Sequence, residues 1–362
     1  MNAPPVPGEW RRVSDVRGIA AAEVSKWFET HLNGVRPPLR FALIPGGHSN
    51  LTYRVTDAAQ RCWVLRRPPL GAVLATAHDM AREFRIISAL GPTSVPVPRA
   101  LGLCQDDAVN DAPFYVMDFI EGPVLADDTD ADGFDGEQRA RIGASVIGVL
   151  TDLHRLDPDA VGLGDLGRKE AYLARQLKRW RTQWEKTRTR ELPTMDQVFA
   201  LLSERMPQQV GATIVHGDYR LGNMIVGSDA RIAAVLDWEL CTLGDPLADL
   251  GYVLNSWAEP GERQPSSRGV ALAPTAAGGF PNRAAFLRSY ADRTGRDVSG
   301  IAYYRAFQYW RTGAIVEGVL SRYLKGVMGG RADTDAFRAQ VDSVAQAALD
   351  LLRNMDAGTG GG

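Results

Sequence analysis

The chain is poor in cysteine and has no long apolar run. Its three cysteines, Cys62, Cys104 and Cys241, stand in no C-x-x-C or Cys/His ligand spacing, which argues against a disulfide framework or a structural zinc site. No window approaches the roughly 20 apolar residues of a membrane span, and the opening MNAPPVPGEWRRVS lacks a signal-peptide core. A soluble, cytoplasmic protein is the expectation. Neither sign of charge is in excess: the formal net charge of -2 gives no general pull toward nucleic acid or an anionic membrane, so any polyanion site must be local. The fingerprints of two enzyme classes are also missing. There is no G-x-S-x-G elbow and no strand-to-helix G-x-G-x-x-G, so hydrolase and Rossmann dehydrogenase readings have no anchor.

What is present is ordinary globular material, 45% hydrophobic and 23% charged over 362 residues, long enough for two domains or one domain of two lobes. After a Pro-rich leader, Ile19, Val24, Trp27, Phe28 and Leu32 fall near helical spacing. LRFALIPGGHSNLTYRVTD and RCWVLRRPP read as strands broken at Pro45-Gly46-Gly47. Met80, Phe84, Ile87 and Leu90 then mark a helix over 76–90, and strands are expected around 99–105 and 113–119. From residue 122 the pattern turns helix-rich. Helices are expected over 138–154, 170–186, 299–325 and 333–354, with another starting at Asp245-Pro246, an N-cap followed by proline, and running to about Trp257. Residues 258–282 lack periodicity and read as a long loop, a candidate lid. The domain reading is therefore a leader and helix over 1–34, a first lobe over 35–121, a second over 122–354, and a disordered tail over 355–362.

The chemistry concentrates in IVHGDYRLGNMIV, residues 214–226. The spacing Asp218-x-x-x-x-Asn223 lets one turn present a carboxylate and an amide oxygen to the same space. Fourteen residues after Asn223, the strand AAVLDW ends in a further carboxylate, Asp237. Three hard oxygen donors of this kind suit Mg2+, which retains waters and shares its shell with nucleotide phosphates. Phosphoryl transfer then needs mainly positioning and charge neutralisation, with one carboxylate beside the acceptor hydroxyl.

The run VHGDYRLGNMIV...AAVLDWE resembles the signature of the aminoglycoside phosphotransferase and choline kinase branch of the protein-kinase-like fold. The continuation DWELCTLGDPLADLGY is most similar to the kinase-like domains fused to some acyl-CoA dehydrogenases. The resemblance organises the chain from about residue 35 to 350 and is weaker in the terminal helices. It implies an α+β, bilobal protein-kinase-like fold, with a small antiparallel-sheet N-lobe that binds nucleotide and a larger, mostly helical C-lobe that carries the acceptor site. It implies ATP and Mg2+ as cofactors, Asp218 as catalytic base, Asn223 and Asp237 as magnesium ligands, and His216 as a brace of the loop. Asp249 is read either as an anchor of that loop or as an ordinary helix-surface aspartate. Tyr219 and Arg220 receive no role.

Upstream, alternation along WVLRR puts Val64 and Arg66 on one face and Leu65 and Arg67 on the other. Arg66 thus stands where protein kinases carry their phosphate-binding lysine, and an arginine can clamp phosphate oxygens bidentately. Glu83, in MAREF, is its expected orienting partner. The turn PGGHSN would cover the phosphates with the amides of Gly47, His48 and Ser49, a weak signal alone because Gly-Gly turns are common. YVMDFIEG fits the inter-lobe connector, with backbone groups of Asp118 and Ile120 meeting adenine.

Two departures point away from a protein substrate. Gly217 replaces the arginine that precedes the catalytic aspartate in protein kinases, and only eleven residues separate Asp237 from Asp249, with no A-P-E segment. The expected partners are therefore ATP and a small-molecule hydroxyl, with no nucleic acid and no membrane; protein partners are not indicated. Trp180, Trp184, Tyr303, Tyr304, Phe307, Tyr309 and Trp310, interleaved with Lys178, Arg179, Arg181, Lys186 and Arg188, are read as an acceptor side. That composition favours an amphipathic or anionic acceptor such as a hydroxyacyl-CoA, although such a stripe is more often core. An aminoglycoside or other antibiotic phosphotransferase is the alternative within the class, and a nucleotide-binding pseudokinase module the alternative outside it.

Overall fold

A computed structural model of the chain describes residues 16–45, 50–71, 79–262, 264–265, 272–327 and 333–359. The chain divides into two units, Met1–Glu121 and Gly122–Gly362.

In the first unit, α1 (Ala21–His31) precedes the strands β1 (Arg40–Leu43), β2 (Leu51–Thr56) and β3 (Cys62–Arg67). There follow α2 (Met80–Leu90), β4 (Ala100–Cys104), the single turn α3 (Asp107–Asn110) and β5 (Phe114–Asp118). The strands form one sheet in the order β1-β2-β3-β5-β4, every pairing antiparallel. Val24, Trp27 and Phe28 of α1 pack onto Tyr53, Val55, Trp63, Leu65 and Val116 of the sheet. Alternation in β3 sends its two arginines to opposite faces. Arg67 is buried, donating through Nη1 to the Gly18 carbonyl and to Asp111 at 3.0 Å. Arg66 faces the other way, toward α2. The N-cap of α2 is Asp79, whose side chain accepts from the Arg82 N–H at 2.9 Å.

The second unit is mainly helical. It begins with α4 (Gly136–Arg155), closed by a capping box between Asp135 and Gln138, followed by α5 (Tyr172–Thr187) and α6 (Pro193–Glu204). Two short antiparallel pairs come next. Strand β6 (Thr213–Val215) pairs with β9 (Thr242–Gly244), and β7 (Met224–Val226) pairs with β8 (Ile232–Val235). Helices α7 (Leu247–Asn255), α8 (Arg283–Thr294), α9 (Ile301–Leu324) and α10 (Thr334–Thr359) complete it. Helix α10 continues past residue 354 to Thr359. No helix among the described residues is long and apolar enough to cross a membrane.

The aromatic stripe expected on the acceptor side is core. Trp184, Tyr304 and Trp310 are fully buried, Trp180, Tyr303, Phe307 and Tyr309 nearly so, and α5, α6, α7 and α10 all pack on α9. Lys178, Arg179 and Lys186 lie on the exposed face of α5, Arg188 is exposed just past its end, and Arg181 pairs with Glu185 and Asp196. Helical spacing of 4, 3 and 4 between Leu173, Leu177, Trp180 and Trp184 is the pattern of one buried face rather than of a ligand surface. Trp184→Ala should therefore cost about 3–5 kcal/mol of stability, read as a fall in the midpoint of chemical denaturation.

Candidate functional site

In the second unit, the segment His216–Asn223 bridges β6 to β7 and is fixed at nearly every residue. The buried carboxylate of Asp249, on α7, accepts from two successive backbone amides: Oδ2 from the His216 N–H at 2.6 Å and Oδ1 from the Gly217 N–H at 2.8 Å. Of the two readings of Asp249, the structure has the anchor. Gly217 has a φ of 86°, and a Cβ there would stand 2.9 Å from the Leu240 carbonyl oxygen. Only glycine fits this turn without strain, which is why no arginine precedes Asp218.

His216 is fully buried and acts as the expected brace. Its Nε2–H donates to the Leu236 carbonyl at 2.9 Å, while Nδ1 accepts from the Asp218 N–H at 3.1 Å, an arrangement that suits the neutral ring. Tyr219, without a role in the sequence, is buried and donates to the Val146 carbonyl at 2.8 Å, tying the loop to α4.

Asp218 and Asn223 meet directly. The Asn223 amide nitrogen donates to Asp218 Oδ2 at 2.6 Å and to the Asp218 carbonyl at 2.9 Å, which turns its own Oδ1 to other use. Asp237 follows β8, and the Leu236 N–H donates to the Asn223 carbonyl at 2.8 Å, so Asn223 and Asp237 emerge side by side from the β7–β8 pair. Asp237 holds a left-handed conformation, φ 66° and ψ 63°. Two hard oxygen donors, an amide and a carboxylate, fit a magnesium ion that completes its shell with water and phosphate oxygens. They do not by themselves make a closed cage, and among the described residues no group of three acidic, histidine or cysteine side chains does so.

Asp218 also lines a cavity of about 520 Å³, within the range of small-molecule sites. Arg220 lies beside it, Nε 3.5 Å from Asp218 Oδ1. Among the described lining residues Asp218 is the one carboxylate and Arg220 the one cation. The other polar groups are neutral, including Tyr252, Asn255, Gln264 and Thr312, and Leu221, Leu272 and Ile315 supply apolar surface. Burial pushes the Tyr252 phenol well up, and the Asp218 carboxylate adds to the shift, so this hydroxyl remains a donor. Of the stripe expected to face the acceptor, Tyr309 reaches the cavity wall; α5 contributes nothing to it.

In the first unit, Arg66 and Glu83 form an ion pair, Nε to Oε2 at 2.9 Å, with the Glu83 side chain nearly fully buried. The register places Thr52 and Tyr115 on either side of Arg66. Arg66 Nη1 reaches Thr52 Oγ1 at 3.5 Å, and Tyr115 and Asn50 donate to Glu83 at 3.1 Å each. The sequence pointed to the pair but not to these two supports, which need the strand register to be seen. Asp118 ends β5 with its N–H given to the Arg99 carbonyl at 3.0 Å and its carboxylate 3.1 Å from Arg99 Nε, so its backbone donor is spent. Ile120 follows β5, half-buried and outside the ladder. Gly47, His48 and Ser49 lie outside the described residues.

The phosphotransferase enzyme family model matches residues 40–294, the span that holds the Arg66–Glu83 pair, the 216–223 loop and Asp237. The chain belongs to the phosphotransferase enzyme family. It shares the α+β kinase-like fold of that family's solved structures. It is 36% identical over 299 residues to acyl-CoA dehydrogenase family member 10 of Mus musculus, covering 82% of this chain and 27% of that protein. The chain spans less than half the length of the curated relatives it matches. Among solved structures, a Ralstonia eutropha protein provisionally named an aminoglycoside phosphotransferase aligns with a TM-score of 0.78 at 33% identity, over 92% of this chain and 98% of that one. A thermostable mutant of an aminoglycoside phosphotransferase, in ternary complex with AMP-PNP and hygromycin B, shares the fold at a TM-score of 0.57 and 14% identity, over 91% of this chain and 98% of that one.

Behind the loop, Asp249 is backed by a buried histidine that the sequence did not single out. His154 Nε2 lies 3.4 Å from Asp249 Oδ2, and its Nδ1 accepts from the Tyr290 hydroxyl at 2.8 Å. Burial opposes ionisation of Asp249, but the hydrogen bonds from His154 and the Gly217 N–H outweigh it and hold the carboxyl below its ordinary range. Burial likewise holds the His154 imidazole below its ordinary pKa, against the pull of Asp249. The folded protein thus keeps His154 neutral where the unfolded chain, with a histidine pKa of about 6.5, takes up a proton. The unfolded state binds more protons below that pH, and stability falls as the pH drops through it. The thermal midpoint should decline from pH 7 to pH 5, and His154→Gln should make the decline shallower; an unaltered slope would show that another group is responsible.

Proposed function

We propose that this phosphotransferase uses ATP and Mg2+ to move the γ-phosphoryl group to a hydroxyl of an amphipathic or anionic small metabolite, a hydroxyacyl-CoA being the leading class. The observation that carries the reading is the placement of Asp218 on the wall of a small-molecule-sized cavity with Asn223 bound to it and Asp237 beside Asn223.

Asn223 holds Asp218 Oδ2, and Oδ1, with Arg220 beside it, would accept the proton of the acceptor hydroxyl as the new O–P bond forms and the bond to the β,γ-bridging oxygen breaks, releasing ADP. Asn223 and Asp237 would hold the metal, which when bound neutralises phosphate charge. In the first unit Arg66, oriented by Glu83, would meet phosphate oxygens, with Gly47, His48 and Ser49 as the proposed cover of the phosphates. Adenine would meet the backbone near Asp118 and Ile120, through Ile120 rather than the spent Asp118 N–H. A cytoplasmic location accords with the use of ATP.

The cavity's charge supports the acceptor class. A polycationic aminoglycoside needs several carboxylates opposite its ammonium groups, and the described lining supplies Asp218, itself reserved for the chemistry and paired with Arg220. Neutral amides and hydroxyls among apolar walls suit an uncharged or singly anionic moiety. The buried aromatic stripe lends no support to this choice.

The test is a mass-spectrometric screen of hydroxyacyl-CoAs, aminoglycosides and choline for ATP-dependent gain of one phosphate. The expected hit is a hydroxyacyl-CoA, with turnover reduced on the order of 1,000-fold in Asp218→Ala and abolished by a chelator. Undiminished turnover in both Asp218→Ala and Asp237→Ala would sink the assignment, and transfer to aminoglycosides alone would overturn the acceptor class.

A further inference from the structure

We propose that Arg311 is a positioning residue for Asp218, an inference that rests on the phosphotransferase reading of the 216–223 loop. Arg311 lies on α9 and is 7% exposed. Its Nη1 donates to the Gly217 carbonyl at 3.0 Å and to Gln308 Oε1 at 3.0 Å. Its guanidinium carbon stands 5.3 Å from the Trp180 ring centre and 5.6 Å from that of Tyr252.

The two peptide groups that flank the Gly217 Cα are therefore each held by a different helix. Asp249 of α7 takes the Gly217 N–H, and Arg311 of α9 takes the Gly217 carbonyl, the group adjoining Asp218. Gln308 couples the two helices, since its Nε2 donates to the Ala248 carbonyl at 2.8 Å, one residue from Asp249. The same helix carries Tyr309, Thr312 and Ile315 to the cavity wall at i, i+3 and i+6. One face of α9 thus lines the cavity while its neighbouring face holds the loop that presents Asp218.

A purely structural role explains this arginine poorly. Burying a cation is costly unless it is paired, and among the described residues no carboxylate pairs with Arg311. Its charge is met by two aromatic faces, each worth a modest attraction, and by carbonyl oxygens. Its Nε has no hydrogen-bond partner among the described residues. A leucine or methionine would fill the same space without that cost. What the guanidinium supplies is a held direction, since it packs against two rings while Nη1 donates to both the Gly217 carbonyl and Gln308 Oε1.

The experiment compares Arg311→Lys and Arg311→Met with wild type in steady-state phosphoryl transfer. Loss of the grip should lower kcat about 100-fold in Arg311→Met, the scale of a small displacement of a catalytic group. Arg311→Lys should lose about tenfold, because a compact ammonium cannot span both rings and the carbonyl. The KM for ATP should stay within about threefold in both. A kcat within about twofold of wild type in a folded Arg311→Met, or an unchanged kcat with a raised KM, overturns the proposal. If Arg311→Met does not fold, Arg311→Lys decides alone: the tenfold loss at constant KM upholds it and a wild-type kcat overturns it. Should the wild type turn over neither acceptor nor ATP, the phosphotransferase reading fails, and hydrogen exchange of the 214–223 peptide decides Arg311 separately. Faster exchange there in Arg311→Lys, with the β1–β3 strands unchanged, upholds the grip; identical exchange overturns it.

Discussion

Two backbone amides in a row donating to one buried carboxylate is the constraint on which the second unit's site depends. Asp249 takes the His216 and Gly217 N–H groups, and the chain then turns through the left-handed conformation of Gly217, which a side chain would strain, into Asp218. Once that turn is set, the Asp218 N–H falls to His216, its carboxylate to Asn223, and Tyr219 is driven into the core beneath. The carboxylate itself stays charged in a buried place because hydrogen bonds replace the water it has lost. The polar residues of the loop are thus not exceptions to the core. They are held by it.

The first unit shows the same logic on a sheet. Arg66 is ordered by a buried glutamate that is in turn ordered by Tyr115 and Asn50. A cation fixed in this way keeps its direction without a bound anion, which is the condition for meeting a phosphate with little rearrangement.

Much of this was legible in the sequence because it depends on local period and spacing. The alternation of WVLRR separates Arg66 from Arg67, and the structure gives the two residues unrelated partners. The i, i+4 and i, i+3 spacing in α4 and α5 marks their buried faces. Pairing of MIV with the strand before Asp237 brings Asn223 and Asp237 to the same end of the pair. What stayed hidden depends on tertiary register. Asp249 reads equally well as a surface residue until α7 is seen to be buried on nearly every side. The pairing of β6 with β9 joins residues whose strands are three long and carry no period of their own. His154 sits in a helix where only its contact with Asp249, ninety-five positions away, distinguishes it. The aromatic stripe misled for the opposite reason: its period is real, but period reports burial and not function.

In the proposed function, this loop and Asp237 hold a metal–nucleotide complex against Asp218. A crystal structure with Mg2+ and a non-hydrolysable ATP analogue tests it most directly. The predicted result is a magnesium ion within about 2.1 Å of oxygens from both Asn223 and Asp237, with the γ-phosphate on the Asp218 side. A nucleotide whose metal is ligated by neither residue would rule this arrangement out.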